Sequence, residues 1–153
     1  MTGSIHIRKA TPADLPSLVA LLRELFSLEA EFTPDDDAQR RGLEMVLGDP
    51  DHGEILVAER DRQPLAMVTL LYTVSTALGA RVALLEDMVV KAEARGDGTG
   101  GTLLDAAIER CRHNGCARVT LLTDADNEGA QAFYRRHGFA RSGMHAYRLL
   151  IEQ

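Results

Sequence analysis

Cysteine is scarce in this 153-residue chain, no stretch of 18 apolar residues occurs, and no two of the five histidines share a metal-binding helical spacing. Each shortage removes a class of protein. Cys111 and Cys116 fall on or beside one predicted helix, where five residues of rotation set them about 140° apart. That spacing predicts neither a disulfide nor a shared metal. Without a long apolar run or a leader pattern, the expectation is a cytoplasmic protein with no membrane span. A surplus of basic residues is missing too. The formal net charge is −6, which argues against non-specific nucleic-acid binding. Repeats, linkers and low-complexity segments are also absent, so residues 1–153 read as one domain. Hydrophobic content of 45% is ordinary and sufficient for a core.

The patterned segments are short and alternate in type. Ile5–Ile7 with Arg8 reads as a first strand. Thr11-Pro12-Ala13-Asp14 and Thr33-Pro34-Asp35 each carry a cap followed by proline, and each starts a helix. The runs 55–59 and 65–72, joined by Arg60–Pro64, predict an antiparallel hairpin, and a third strand covers 82–90. A helix then leads to Arg118–Thr123, a strand expected to lie parallel to its predecessor. A last helix over 130–137 stops at Gly138, and Tyr147–Ile151 predicts a final strand.

The chain is organised around Leu84–Val90 and the turn that follows it. Gly96-Asp97-Gly98-Thr99-Gly100-Gly101 holds four glycines in six residues and opens a helix near Thr102. Such a turn leaves amide N–H groups uncovered at the positive end of a helix dipole, which suits an anion, most readily a phosphate. Arg95 adds a positive charge at its lip. The literal dinucleotide fingerprint Gly96-x-Gly98-x-x-Gly101 is disfavoured, because five residues separate the strand from the first glycine. A P-loop is excluded because no Lys-Ser or Lys-Thr follows the glycines.

Arg95-Gly96-Asp97-Gly98-Thr99-Gly100 matches [Gln/Arg]-x-x-Gly-x-[Gly/Ala], and Asn127, Ala130, Phe133-Tyr134 and Gly138-Phe139 follow at the expected places. In these motifs, and in its element order, the chain resembles the GNAT superfamily of acyl-CoA-dependent N-acyltransferases. Leu85–Val90 is similar to the corresponding segment of spermidine/spermine-type amine acetyltransferases. The resemblance implies an α/β (α+β) fold: a mixed, mostly antiparallel central sheet with a parallel splayed pair and flanking helices. It implies acetyl-CoA as co-substrate and an amine as acceptor, with small cationic amines favoured over protein amines. A homodimer is a further expectation, since dimers are common in the family.

Site residues are carried over one by one. The backbone of Met88, Val89 and Val90 would pair with the pantetheine arm. The amides of Gly96, Asp97, Gly98, Thr99, Gly100 and Gly101, with Arg95, would hold the diphosphate. Asn127, Ala130 and Phe133 would line the other wall. Tyr134 resembles the family's general acid, because a phenol of pKa about 10 is protonated at neutral pH and can serve a thiolate of pKa about 8.5. Glu86 is the candidate base, acting through water or binding the substrate ammonium. Strand alternation points Glu86 and Asp87 to opposite faces, so only one of them should meet the acceptor. Neither cysteine falls in a motif, so direct attack in a ternary complex is expected over an acyl-cysteine. A silent acyl-CoA-binding sensor is the alternative.

Overall fold

A five-stranded sheet in the order β1-β2-β3-β4-β5 forms the middle of the molecule. The computed structural model describes residues 3–29 and 31–153. Its strands are β1 (His6–Lys9), β2 (Gly53–Arg60), β3 (Gln63–Ser75), β4 (Ala80–Val90) and β5 (Val119–Leu121). The helices are α1 (Leu15–Leu28), α2 (Asp36–Leu47), α3 (Thr99–His113) and α4 (Glu128–Arg136). β1 to β4 pair antiparallel, and β5 lies parallel to β4. This is the mixed, mostly antiparallel α+β fold expected from the sequence.

β2 and β3 are apolar at successive positions because both faces of the sheet are covered. Ile55, Val57, Met67 and Val89 pack against Leu18, Leu21 and Leu22 of α1 and Leu43 of α2. Leu56, Ala58, Val68, Leu70 and Leu85 meet Leu103, Leu104 and Ala107 of α3. Fully burying one such side chain stabilises by about 1.5–3 kcal/mol, so the two layers fix the sheet between the helices. Both helices start slightly later than the Thr-Pro pairs predict: Pro12–Asp14 form a 3-10 turn ahead of α1, and Asp35 rather than Thr33 caps α2. The Asp35 carboxylate accepts from the Ala38 amide at 3.1 Å. The Asp14 carboxylate accepts from the Thr11 amide at 2.8 Å and from the Arg8 guanidinium at 2.8 Å.

Three further local features depart from the sequence reading. The hairpin turn is just Asp61-Arg62, both left-handed at φ 51° and 65°, so the strands extend further into the predicted link. α3 ends at His113, and Gly115 (φ 77°) folds the chain back so that the Cys116 amide donates to the Cys111 carbonyl at 2.9 Å. Helical rotation therefore does not govern that pair: the two thiols meet, and burial pushes the Cys111 thiol up to about 12. Lastly, Tyr147–Ile151 forms no strand. From Ala140 onward the chain is exposed and without regular structure.

Candidate active site

β4 and β5 hold three residue pairs, Ala83–Val119, Leu84–Thr120 and Leu85–Leu121, and then separate while β4 runs on to Val90. A strand that loses its neighbour leaves a row of backbone donors and acceptors on that side. Met88, Val89 and Val90 carry this unpaired edge, with Val89 and Val90 held on the other side by Met67 and Ala66 of β3. The Val90 carbonyl is already engaged, accepting from Arg95 Nε at 2.9 Å.

The glycine turn follows. Gly96 (φ 82°) and Gly98 (φ 89°) stand in the left-handed region, and nothing lies within 4 Å of where a Cβ would sit at either. They are therefore not glycines because their own chain crowds them. A side chain at either position would project into open space beside uncovered amides. The amides of Gly96, Gly98, Gly100 and Gly101 donate to no described residue. Asp97 turns inward, its carboxylate accepting from Thr99 N at 3.0 Å and Thr99 Oγ1 at 2.6 Å. These bonds hold its carboxyl below the usual range. Gly100 is different: a Cβ there would come within 3.3 Å of Val90 and 3.7 Å of Phe133, so its absence lets α3 approach β4 and α4.

The charge expected at the lip is already paired. Arg95 donates to Glu24 of α1 at 2.9 Å, and Arg60 donates to Asp97 at 3.1 Å. An anion at this turn would thus rest on peptide N–H groups and the helix dipole rather than on an uncommitted guanidinium. His137, which no sequence motif marks, presents its ring to Gly101 and bonds Asp105 at 2.8 Å. Its place depends on the packing of α4 on α3, which leaves no local signature.

On the opposite wall, Asn127 caps α4 by accepting from the Ala130 amide at 3.0 Å. The cap orients Phe133 and Tyr134, whose rings lie 5.3 Å apart, with Phe139 at 5.8 Å from Tyr134. Burial, and then the negative field of Glu29, pushes the Tyr134 phenol up to about 12. The same Glu29 is raised by burial and by Asp124, Asp87, Glu31 and Glu86. Glu29 thus lies in the field of carboxylates from distant parts of the chain, Glu86, Asp87 and Asp124, and is itself the carboxylate that bears on the phenol.

Alternation fails where it matters most. Thr69 pairs with Glu86, but Met67 pairs with Val89, so β4 carries one extra residue there. Asp87 takes φ 55° in this bulge. Glu86 and Asp87 consequently line the same cleft of about 270 Å³, together with Leu22, Phe26, Gln39 and Leu43. Glu86 is exposed at its mouth. Asp87 accepts from Thr69 Oγ1 at 2.9 Å, and burial pushes its carboxyl up to about 6.

A carboxyl with a raised native pKa is protonated preferentially in the folded state. Stability therefore falls as pH rises from about 4 through about 6. Asp87→Asn is expected to stabilise the fold by roughly 2 kcal/mol at about pH 8 and to change little at about pH 4. Urea unfolding at the two pH values checks this; equal effects at both would remove the carboxylate as the cause.

Among the described residues no three His, Cys, Asp or Glu side chains gather as metal ligands, and no helix is long and apolar enough to cross a membrane. Comparison with known proteins converges on one group. The model of the acetyltransferase (GNAT) family matches residues 15–139. The chain is 28% identical to an uncharacterized N-acetyltransferase, YhfO, of Bacillus subtilis over 88% of this chain and 89% of that protein. It is 29% identical to an aminoalkylphosphonate N-acetyltransferase of Salmonella typhimurium, covering 90% of this chain and 86% of the relative. A solved integron cassette protein from the mobile metagenome of a salt marsh superposes with a TM-score of 0.83 at 27% identity, over 96% and 91% of the two chains. With a family match spanning most of the chain and a splayed strand pair beside a glycine turn, this protein belongs to the GNAT acetyltransferase family and is an N-acetyltransferase.

Proposed function

We propose that the enzyme transfers an acetyl group from acetyl-CoA to a small cationic primary amine by direct attack. Acetyl-CoA, as co-substrate, would bring a thioester whose carbonyl an uncharged amine can attack. The amides around Gly96–Gly101 would hold its diphosphate, and the open edge of Met88–Val90 would take its pantetheine arm like an added strand. Asn127, Ala130 and Phe133 would form the facing wall.

The observation that carries the choice of acceptor is the acidic cluster of Glu29 with Glu86, Asp87 and Asp124, whose member Glu29 bears on the phenol. Such a field favours an ammonium and opposes an anionic group at the same place. Glu86, exposed at the mouth, would bind the arriving ammonium. Asp87, desolvated and with its pKa near 6, would take the proton that makes the amine a nucleophile. Tyr134, still protonated at neutral pH, would give its proton to the departing thiolate. The apolar walls from Leu22, Phe26 and Leu43 suit an acceptor with a short aliphatic stem.

Thiol release from acetyl-CoA across polyamines, amino acids, aminoglycosides, aminoalkylphosphonates and peptides tests this reading. Fastest release is expected with acceptors that carry a second cationic centre and no phosphonate. Preference for the phosphonates, the class named for the Salmonella relative, would overturn the electrostatic assignment. Cofactor binding without release for any acceptor would replace it with a sensor.

A further inference from the structure

α3 ends in a cap that folds one side chain back onto another. The Cys116 amide donates to the Cys111 carbonyl at 2.9 Å, and the Gly115 amide donates to the Arg112 carbonyl at 3.1 Å. Gly115 supplies the left-handed residue, at φ 77°. In a helix end closed by this pair of bonds, the residue after the left-handed one packs against the last turn, ordinarily through two apolar side chains. Here both positions are cysteines, and their thiols meet. A disulfide requires close backbones and side chains that face each other, and the two cap bonds supply both before any sulfur reacts. Access to solvent is unequal. Cys111 is 2% exposed in the core with Leu104 and Ala107, whereas Cys116 is half-buried. One thiol can meet a solute; the other can meet its neighbour.

We propose that Cys111 and Cys116 form a reversible dithiol that a small-molecule disulfide converts to an internal bridge. The Cys116 sulfur gives up its proton and attacks one sulfur of the small disulfide, whose S–S bond breaks and releases one small thiol carrying that proton. The Cys111 sulfur then gives up its proton and attacks the Cys116 sulfur, and the second small thiol leaves protonated. The two cysteines lose two electrons, and the small disulfide is reduced by them to two thiols. Burial first, then the neighbouring thiol and Glu54, raise the Cys111 thiol; burial also raises Cys116, opposed by Cys111 and Arg81. Thiolate is therefore scarce at neutral pH, and the exchange should quicken as pH rises.

The bridge would act on β5. Just past Cys116 the chain joins the sheet: the Ala117 amide donates to the Arg81 carbonyl, and the Ala83 amide to the Arg118 carbonyl, both at 2.9 Å. β5 then holds three pairs with β4. So short an edge strand belongs to the parts of a fold that open first. A bond between residues 111 and 116 ties its start to the buried end of α3, far from the glycine turn at the other end of that helix. Nothing in this proposal depends on the acceptor or on acetyl-CoA.

Full-length protein incubated with oxidised glutathione above neutral pH should lose both free thiols and two hydrogens in mass, and should retain no glutathione. Dithiothreitol should restore the thiols. Trypsin cuts after Arg112, so the bridge should hold two peptides of one chain together. Cys111→Ala should instead keep one glutathione on Cys116, and Cys116→Ala should leave Cys111 unmodified. Amide exchange at Val119–Leu121 should slow at least about tenfold in the bridged protein. Glutathione retained on the wild type, a bridge between two chains, or two thiols left free overturns the proposal. So does a Cys111→Ala protein without glutathione, or a Cys116→Ala protein that acquires it. Unchanged amide exchange overturns the tie to β5.

Discussion

Replacing Tyr134 by phenylalanine is expected to lower kcat by about 10²–10³-fold while leaving the affinity for CoA within about twofold. The substitution takes away an oxygen and its proton and little else. The ring keeps its neighbours Phe133 and Phe139, at 5.3 and 5.8 Å, and the hydroxyl makes no hydrogen bond among the described residues. What is lost is a proton donor whose availability is secured by its surroundings. Burial, reinforced by Glu29, holds the phenol near 12, so it stays protonated across the working pH range. A thiol of ordinary pKa, about 8.5, leaves poorly as a free thiolate from a dry cleft, and a nearby donor removes that cost in the step where the bond breaks. Because the effect belongs to that step, it should fall on kcat and kcat/KM together, with titration of CoA unaffected. Unchanged turnover would take Tyr134 out of the chemistry. Equal losses of turnover and CoA affinity would make it a wall residue of the cofactor cleft.

How much of this site could be read from the sequence depended on the range of the contacts involved. The glycine turn was legible because its chemistry is local: four glycines in six residues before a helix already specify uncovered amides. The same holds for Asn127, whose capping bond reaches only to Ala130. Asp87 was misplaced because its face depends on the register between β3 and β4. One extra residue after Glu86 turned it into the cleft beside its neighbour, and alternation cannot see a bulge. Arg95 looked available to an anion because its partner Glu24 lies 71 residues earlier in the chain. Glu29 belonged to a visibly acidic run, yet its reach to Tyr134 and Asp124 exists only once α1, α4 and β5 are assembled. Tyr147–Ile151 is the inverse case: it alternates like a strand and forms none, because a pattern names no partner.

That distinction between local and assembled properties gives the glycine turn its sharpest test, Gly98→Asn. Asparagine tolerates the left-handed region, so the φ of 89° that starts α3 can persist, and with it the bond from the Thr102 amide to the Gly98 carbonyl at 3.0 Å. No described atom lies within 4 Å of the new Cβ, so the empty protein should lose less than about 1 kcal/mol of stability. If the uncovered amides grip a diphosphate, the same side chain would stand where the ligand must come closest. CoA affinity should then fall at least about tenfold, a change of about 1.4 kcal/mol by calorimetric titration. Gly115→Asn supplies the control: it is also left-handed, at φ 77°, with open space at its Cβ, but it sits at the far end of α3. There, stability and CoA affinity should both stay near wild type. A Gly98→Asn protein that binds CoA as well as the control would mean that the glycine serves only the turn. The amides of residues 96–101 would then have to give up the diphosphate to some other part of the molecule.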